Sequence, residues 1–178
     1  IIGYVKNWGG PGYQTVAADY DGDGKMDPAV YQETTSDWYA WLSSLGYIET
    51  VAHGWGGQDW TPIPADYDGD SKADPAVYQP AIGTWQAWLS DSGYQGVLAE
   101  GLGGRGFVPV TDDYDGDGKA DIAVYQTLTG TWLVWLSGSG YTQTSFSGWG
   151  GSTYEPVPAD YDGDGKADPA VYQSTTGN

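Results

Sequence analysis

DYDGDGKMDPAVYQ, residues 19–32, decides the reading of this chain, because nearly the same fourteen-residue string returns three more times. DYDGDSKADPAVYQ begins at Asp66, DYDGDGKADIAVYQ at Asp113 and DYDGDGKADPAVYQ at Asp160, each 47 residues after the one before. A fixed period of this length marks a repeat architecture, in which each unit buries its apolar face against its neighbours.

In every copy Asp stands at positions one, three, five and nine. Alternate residues of a tightly curled loop point to the same side, so Asp19, Asp21 and Asp23 are expected to converge while Tyr20 and Gly22 turn away. Gly24 at position six permits the sharp turn that aims the Lys25 carbonyl inward, and Asp27 completes the cage. The corresponding predicted ligands are Asp66, Asp68, Asp70, Lys72 and Asp74, then Asp113, Asp115, Asp117, Lys119 and Asp121, then Asp160, Asp162, Asp164, Lys166 and Asp168. Each Lys enters these sets through its backbone carbonyl. The second loop has Ser71 where the others have Gly, which predicts a strained turn and a lower affinity there.

Four carboxylates at that spacing repel one another without a counter-ion, so a bound cation is expected in each loop. All-oxygen ligation favours Ca2+, one per loop and four in the chain. Zinc would ask for Cys or His, and magnesium, which keeps its waters, is the weaker competitor. An EF-hand is rejected. That motif needs a Glu at position 12 and a following helix, whereas position 12 is Val30, Val77, Val124 and Val171 and the residues that follow are strand-like.

Turn signals divide each period into four short β stretches, at 60–65, 75–79, 84–90 and 95–102 in the second repeat, and Pro62, Pro64 and Pro75 argue against helices. Four strands in 47 residues is the size of a propeller blade. The expected fold is therefore all-β, a β-propeller of 47-residue four-stranded blades with the calcium loop between first and second strands. On this reading residues 1–10 are the last strand of a preceding blade, 11–57, 58–104 and 105–151 are blades, and 152–178 supplies the first two strands of another. Closing these pieces into a four-blade ring would omit one third strand and leave unpaired edges. The segment is accordingly expected to belong to a larger or oligomeric propeller or array, continued in the chain or by self-association through those edges.

Aromatic residues fall in repeat columns: Trp38, Trp85 and Trp132; Trp41, Trp88 and Trp135; Trp8, Trp55 and Trp149, with Leu102 in the remaining repeat; and Tyr31, Tyr78, Tyr125 and Tyr172. An aromatic that recurs once per unit is most simply packing between units, with sugar stacking as the other reading. Tyr4 and Tyr39 stand outside the columns and are candidates for surface contacts.

The formal charge is −18, and 16 of the 24 acidic residues are the Asp of the four loops. Four divalent cations bring eight positive charges and would move −18 to −10. Such an excess repels nucleic acid and anionic membrane surfaces, so neither is an expected partner. No apolar run approaches the ~20 residues needed to cross a bilayer, so membrane insertion is not expected. Cysteine is absent, and the single His53 has Lys6, Glu100 and Ser147 at its place in the other repeats. An enzyme is not expected: a triad would depend on that one His, and the Asp are committed to the loops.

The motif Asp-Tyr-Asp-Gly-Asp-Gly-Lys-x-Asp followed by a strand resembles the FG-GAP/VCBS-type calcium-binding β-propeller repeats found in integrin-like heads, fungal lectins and large secreted bacterial proteins. Trp-Gly-Gly at Trp8, Trp55 and Trp149 takes the place of Phe-Gly, and the Gly-Ala-Pro element is absent, since the strand after each loop ends Val-Tyr-Gln. The chain therefore looks closer to the VCBS branch than to integrin heads. The resemblance implies an extracellular, calcium-stabilised module with a binding or adhesion role, carbohydrate or another cell-surface ligand being the partner. Gln32, Gln79, Gln126 and Gln173 recur beside Tyr as sugar-contact candidates. The alternative is a structural subunit of an extracellular fibre or surface array.

Overall fold

The computed structural model describes residues 8–177, so the strand expected in residues 1–10 and Tyr4 lie almost wholly outside the described residues. The described residues are all-β, with one 3-10 turn at Ser137–Ser139 and no α-helix. The first sheet holds β1 (Tyr13–Thr15), β2 (Ala29–Gln32), β3 (Asp37–Leu42) and β4 (Ile48–Ala52). The second holds β5 (Thr61–Pro62), β6 (Ala76–Gln79), β7 (Thr84–Leu89) and β8 (Gln95–Glu100). The third holds β9 (Phe107–Pro109), β10 (Ile122–Gln126), β11 (Thr131–Leu136) and β12 (Thr142–Phe146), and a final pair joins β13 (Glu155–Pro156) to β14 (Val171–Tyr172). Each four-stranded sheet is an antiparallel meander in chain order.

Register follows from the aromatic columns. Tyr31 pairs across strands with Trp38, Tyr78 with Trp85 and Tyr125 with Trp132. Their ring centroids lie 5.1, 4.7 and 5.1 Å apart, the cross-strand contact that stabilises a sheet face. The second strands are buried along most of their length, the third strands alternate, and the fourth are largely exposed. Each sheet thus runs from a buried side to a solvent-facing outer edge.

The cores lie between sheets. Tyr31 and Trp38 of the first sheet cluster with Ala73 and Val77 of the second repeat. Tyr78, Trp85 and Leu102 cluster with Val124, and Tyr125 and Trp132 pack with Val171. Trp55, at the end of one repeat, lies on Trp88 of the next at 4.6 Å, and Trp8 lies on Trp41 at 5.0 Å. Most of the recurring aromatics thus pack within and between units, whereas Trp149 and Tyr172 are exposed.

The Trp-Gly-Gly segment works as a latch within each repeat. The Gly57, Gly104 and Gly151 N–H groups donate to the Tyr31, Tyr78 and Tyr125 hydroxyls at 2.6, 2.7 and 2.6 Å. The Trp38, Trp85 and Trp132 indoles donate to the carbonyls of Trp55, Leu102 and Trp149. Gly56 has φ +97°, and a Cβ there would stand 2.5 Å from the Tyr31 hydroxyl, so a side chain is excluded twice over. Outside the latch, the Glu49 carboxylate accepts from the indoles of both Trp8 and Trp41, and the Gln143 amide oxygen accepts from Trp135. Gly96 occupies the same column with the benzene edge of Trp55 against it, and the Trp55 indole N–H is buried with no hydrogen-bond partner.

Tyr78→Phe removes the acceptor for a buried Gly104 N–H while keeping the ring. We expect it to lower the unfolding free energy by about 1–3 kcal/mol in denaturant titration, the cost of orphaning a buried donor.

Candidate metal centres

Each Asp loop spans the gap between the first and second strands of its repeat. Ala18 and Asp27 close the neck of the first as an isolated antiparallel bridge, and Ala65–Asp74, Asp112–Asp121 and Ala159–Asp168 do the same in the others. Within the neck the chain turns back on itself through left-handed residues at positions four and six, Gly22 (φ +77°) and Gly24 (φ +81°) in the first loop. Ser71 holds that conformation in the second loop at φ +68°, in agreement with the strain expected of a residue bearing a Cβ.

The structure brings three carboxylates of each loop together. One oxygen each from Asp19, Asp21 and Asp27 lies within 4.8 Å of the others, as in Asp113, Asp115 and Asp121 and in Asp160, Asp162 and Asp168. In the second loop the trio is Asp66, Asp68 and Asp70. The remaining predicted carboxylates, Asp23, Asp117 and Asp164 at position five and Asp74 at position nine of the second loop, stand in the same loops outside these trios.

Every carboxylate is also oriented from outside the cluster. Asp19 accepts from the Gly22 and Gly24 N–H groups at 2.7 Å each, and the same pair of bonds recurs at Asp66, Asp113 and Asp160. Asp27 is fully buried, and its two oxygens accept from Tyr20 N–H at 2.9 Å and Ser43 N–H at 2.7 Å. Asp74 and Asp121 repeat this with Tyr67 and Ser90 and with Tyr114 and Ser137. Asp23 takes the Lys25 N–H at 2.9 Å, the Lys25 ammonium at 2.7 Å and the Ser43 hydroxyl at 3.0 Å. The backbone N–H groups of the predicted lysines bond the position-five carboxylates in all four loops, and the Lys25 and Lys72 ammoniums join them at Asp23 and Asp70.

Ser43, Ser90 and Ser137 belong to the site although the motif does not contain them. Each lies twenty residues beyond its position-five Asp, in the turn after the third strand, and donates both N–H and hydroxyl into the loop. The next residue's N–H, from Ser44, Asp91 or Gly138, reaches the position-three carboxylate at 2.9–3.0 Å. The one signal for them in the sequence is Trp-Leu-Ser recurring at the repeat interval.

Electrostatics agree with a site that wants positive charge. Burial, reinforced by the Asp68 and Asp66 charges, pushes the Asp74 carboxyl up to about 6 against the pull of its backbone hydrogen bonds, and burial raises Asp121 as well. The Lys25 ammonium holds Asp23 below the ordinary carboxylate range. Calcium accepts six to eight oxygens at 2.3–2.6 Å, so opposite ligands stand about 4.6–5.2 Å apart. A trio of carboxylate oxygens within 4.8 Å, held by hydrogen bonds from behind and with no nitrogen or sulfur donor among them, fits that ion. The four clusters could each hold a metal ion in this way.

Ser71→Gly relieves a left-handed Cβ at a site where Gly is the residue of the other three loops. We expect a gain of about 1 kcal/mol, read as a rise of a few degrees in Tm with the calcium stoichiometry unchanged.

No curated protein and no solved structure matches the chain. Residues 113–171, from the first Asp of the third loop to Val171 of β14, match the family model of the FG-GAP-like repeat, which supports the FG-GAP repeat family for this array.

Proposed function

We propose that this chain is an extracellular, calcium-stabilised repeat module of β-propeller type that binds ligands at the cell surface, carbohydrate being the chemistry its cavities suit. The observation that carries the binding reading is a cavity that recurs at successive repeat boundaries. One, of about 360 Å³, opens between the outer strands of the first sheet and the second repeat, against Trp38, Tyr39, Thr50, His53, Trp88 and Tyr94. Its counterpart one repeat on, about 380 Å³, has Trp85, Gln86, Val97, Trp135 and Tyr141 at the matching places. Aromatic walls with a few polar groups at the rim suit a sugar ring, which offers an apolar face and hydroxyl edges. The first cavity carries the richer polar set. His53 Nδ1 lies 2.7 Å from Asp37 Oδ1, and the Tyr39 hydroxyl donates to the other oxygen of Asp37 at 3.4 Å.

The amide oxygens of the glutamine column are engaged in local turns. Gln32, Gln79 and Gln126 cap the turns after their strands, accepting from the Thr35 hydroxyl, from Ala81 N–H, and from Leu128 and Thr129 N–H respectively.

Calcium is the ion this reading assigns to the four loops, with a structural rather than a catalytic role. Propeller geometry is supported by cores that lie between successive sheets, and the VCBS-like character by the Val-Tyr-Gln strand endings. A structural subunit of a fibre or surface array is the second reading, favoured by the sameness of the bonds from each repeat to the next. Self-association through the exposed outer strands would serve that role.

Two measurements test the proposal. Stripping the metal with a chelator should lower Tm, and calcium at a hundred times its Kd should restore about 2.7 kcal/mol per site. An unchanged Tm would remove calcium from the account. On a glycan array the chain should bind a defined sugar, and Tyr39→Gln with His53→Glu, which installs the second repeat's own residues, should weaken that binding at least tenfold with Tm unchanged. No binding to any glycan would sink the carbohydrate reading.

A further inference from the structure

The loops are joined to one another, and we propose that their four metal sites fill cooperatively, each loop being braced by the next. This rests on the calcium reading above and adds a coupling between sites. Asp19 gives its carboxylate to the first cluster and its backbone carbonyl to Ala73 N–H of the second loop, at 2.6 Å. Ala73 immediately precedes Asp74, the buried carboxylate that ties the second loop to Tyr67 and Ser90. The bond repeats from Ala120 N–H to the Asp66 carbonyl and from Ala167 N–H to the Asp113 carbonyl, again at 2.6 Å. The accepting carbonyl belongs to the first Asp of one loop itself, and on the donor side a single peptide bond leads to the position-nine Asp of the next.

A side-chain contact runs beside each of these bonds. A Cβ placed on Gly22 would lie 3.1 Å from Lys72 Cγ, one on Gly69 3.0 Å from Lys119 Cε, and one on Gly116 3.1 Å from Lys166 Cγ. Each lysine stem thus lies over the position-four glycine of the preceding loop.

Without metal the converging carboxylates repel and loosen a loop, and a loosened Asp19 no longer holds Ala73 in place. A cation that fixes one loop removes part of the ordering cost of its neighbour, which raises the neighbour's affinity. Repulsion between bound cations does not oppose this. A loop with four carboxylates and one lysine remains net negative after taking a divalent ion, so an occupied site still attracts the next.

The test is titration of the metal-stripped chain with calcium chloride, followed by heat and by tyrosine fluorescence. A single steep transition is expected, with a Hill coefficient of about 2 and neighbour affinities raised about fivefold or more. Amide exchange at Ala73, Ala120 and Ala167 should slow together over that same transition. Lys119→Ala removes the stem over Gly69 and should lower the Hill coefficient, whereas Lys119→Met, which keeps the stem without the charge, should retain it. Binding with a Hill coefficient of 1 or below overturns the coupling and leaves the calcium reading intact. Unchanged steepness in Lys119→Ala removes the lysine from it. Absence of any heat or exchange change overturns the calcium reading itself.

Discussion

A carboxylate with no exposure to water, at position nine of each of the first three loops, is the constraint on which the rest of the structure depends. Asp27, Asp74 and Asp121 are buried, and a buried charge is tolerated only when its lone pairs are filled. One oxygen takes an N–H from the start of the same loop and the other takes an N–H from the turn after the third strand, sixteen residues away. The residue's own N–H closes the neck of the loop onto Ala18, Ala65 or Asp112. A single side chain therefore fixes where the second strand begins, how the loop curls and how the hairpin of the second and third strands is placed above it.

The same geometry explains why a repeat does not stand alone. The Tyr beside the first Asp turns away from the carboxylates, and the Tyr20, Tyr67 and Tyr114 hydroxyls donate back to the carbonyls of Val16, Ile63 and Val110. Burial, with Asp27 as a neighbouring charge, holds the Tyr20 hydroxyl far above its ordinary pKa, so it remains a donor. Tyr20 and Tyr67 are buried largely because the following repeat lies against them, whereas Tyr161 is 62% exposed. The carboxylate side of a loop is completed inside its own repeat and the tyrosine side by its neighbour.

Much of this was legible in the sequence, and what was not has a physical reason. Period, strand number and aromatic columns could be read because burial between units imposes the same residue at the same interval. The convergence of the loop carboxylates could be read because their spacing is local. Ser43, Ser90 and Ser137 could not, since they act mainly through backbone N–H groups that any residue carries, and their place near the loop depends on how the hairpin folds over it. The turn bonds of the glutamine column were not legible for the converse reason: a side chain suited to recognise a sugar is equally suited to cap a turn, and the amide oxygens of Gln32, Gln79 and Gln126 accept from turn residues. His53 looked incidental because its column varies, and only the fold places it against Asp37.

That variation also shows which positions the repeat leaves free to change. Loop, latch and column positions repeat almost without change, because each is held by bonds to a partner that also repeats. The outer strands are free of this requirement: Tyr39 becomes Gln86 and Leu133, Thr50 becomes Val97 and Thr144, and His53 becomes Glu100 and Ser147. Tyr39, Thr50 and His53 line one cavity, and Gln86 and Val97 line its counterpart. Even the indole column obeys the division, with Glu49 and Gln143 supplying an acceptor that Gly96 withholds, at the outer edge where packing leaves a choice. A scaffold held rigid at its loops can exchange rim residues at little cost to stability, since the hydrogen bonds of Tyr39 and His53 go to Asp37 of their own repeat.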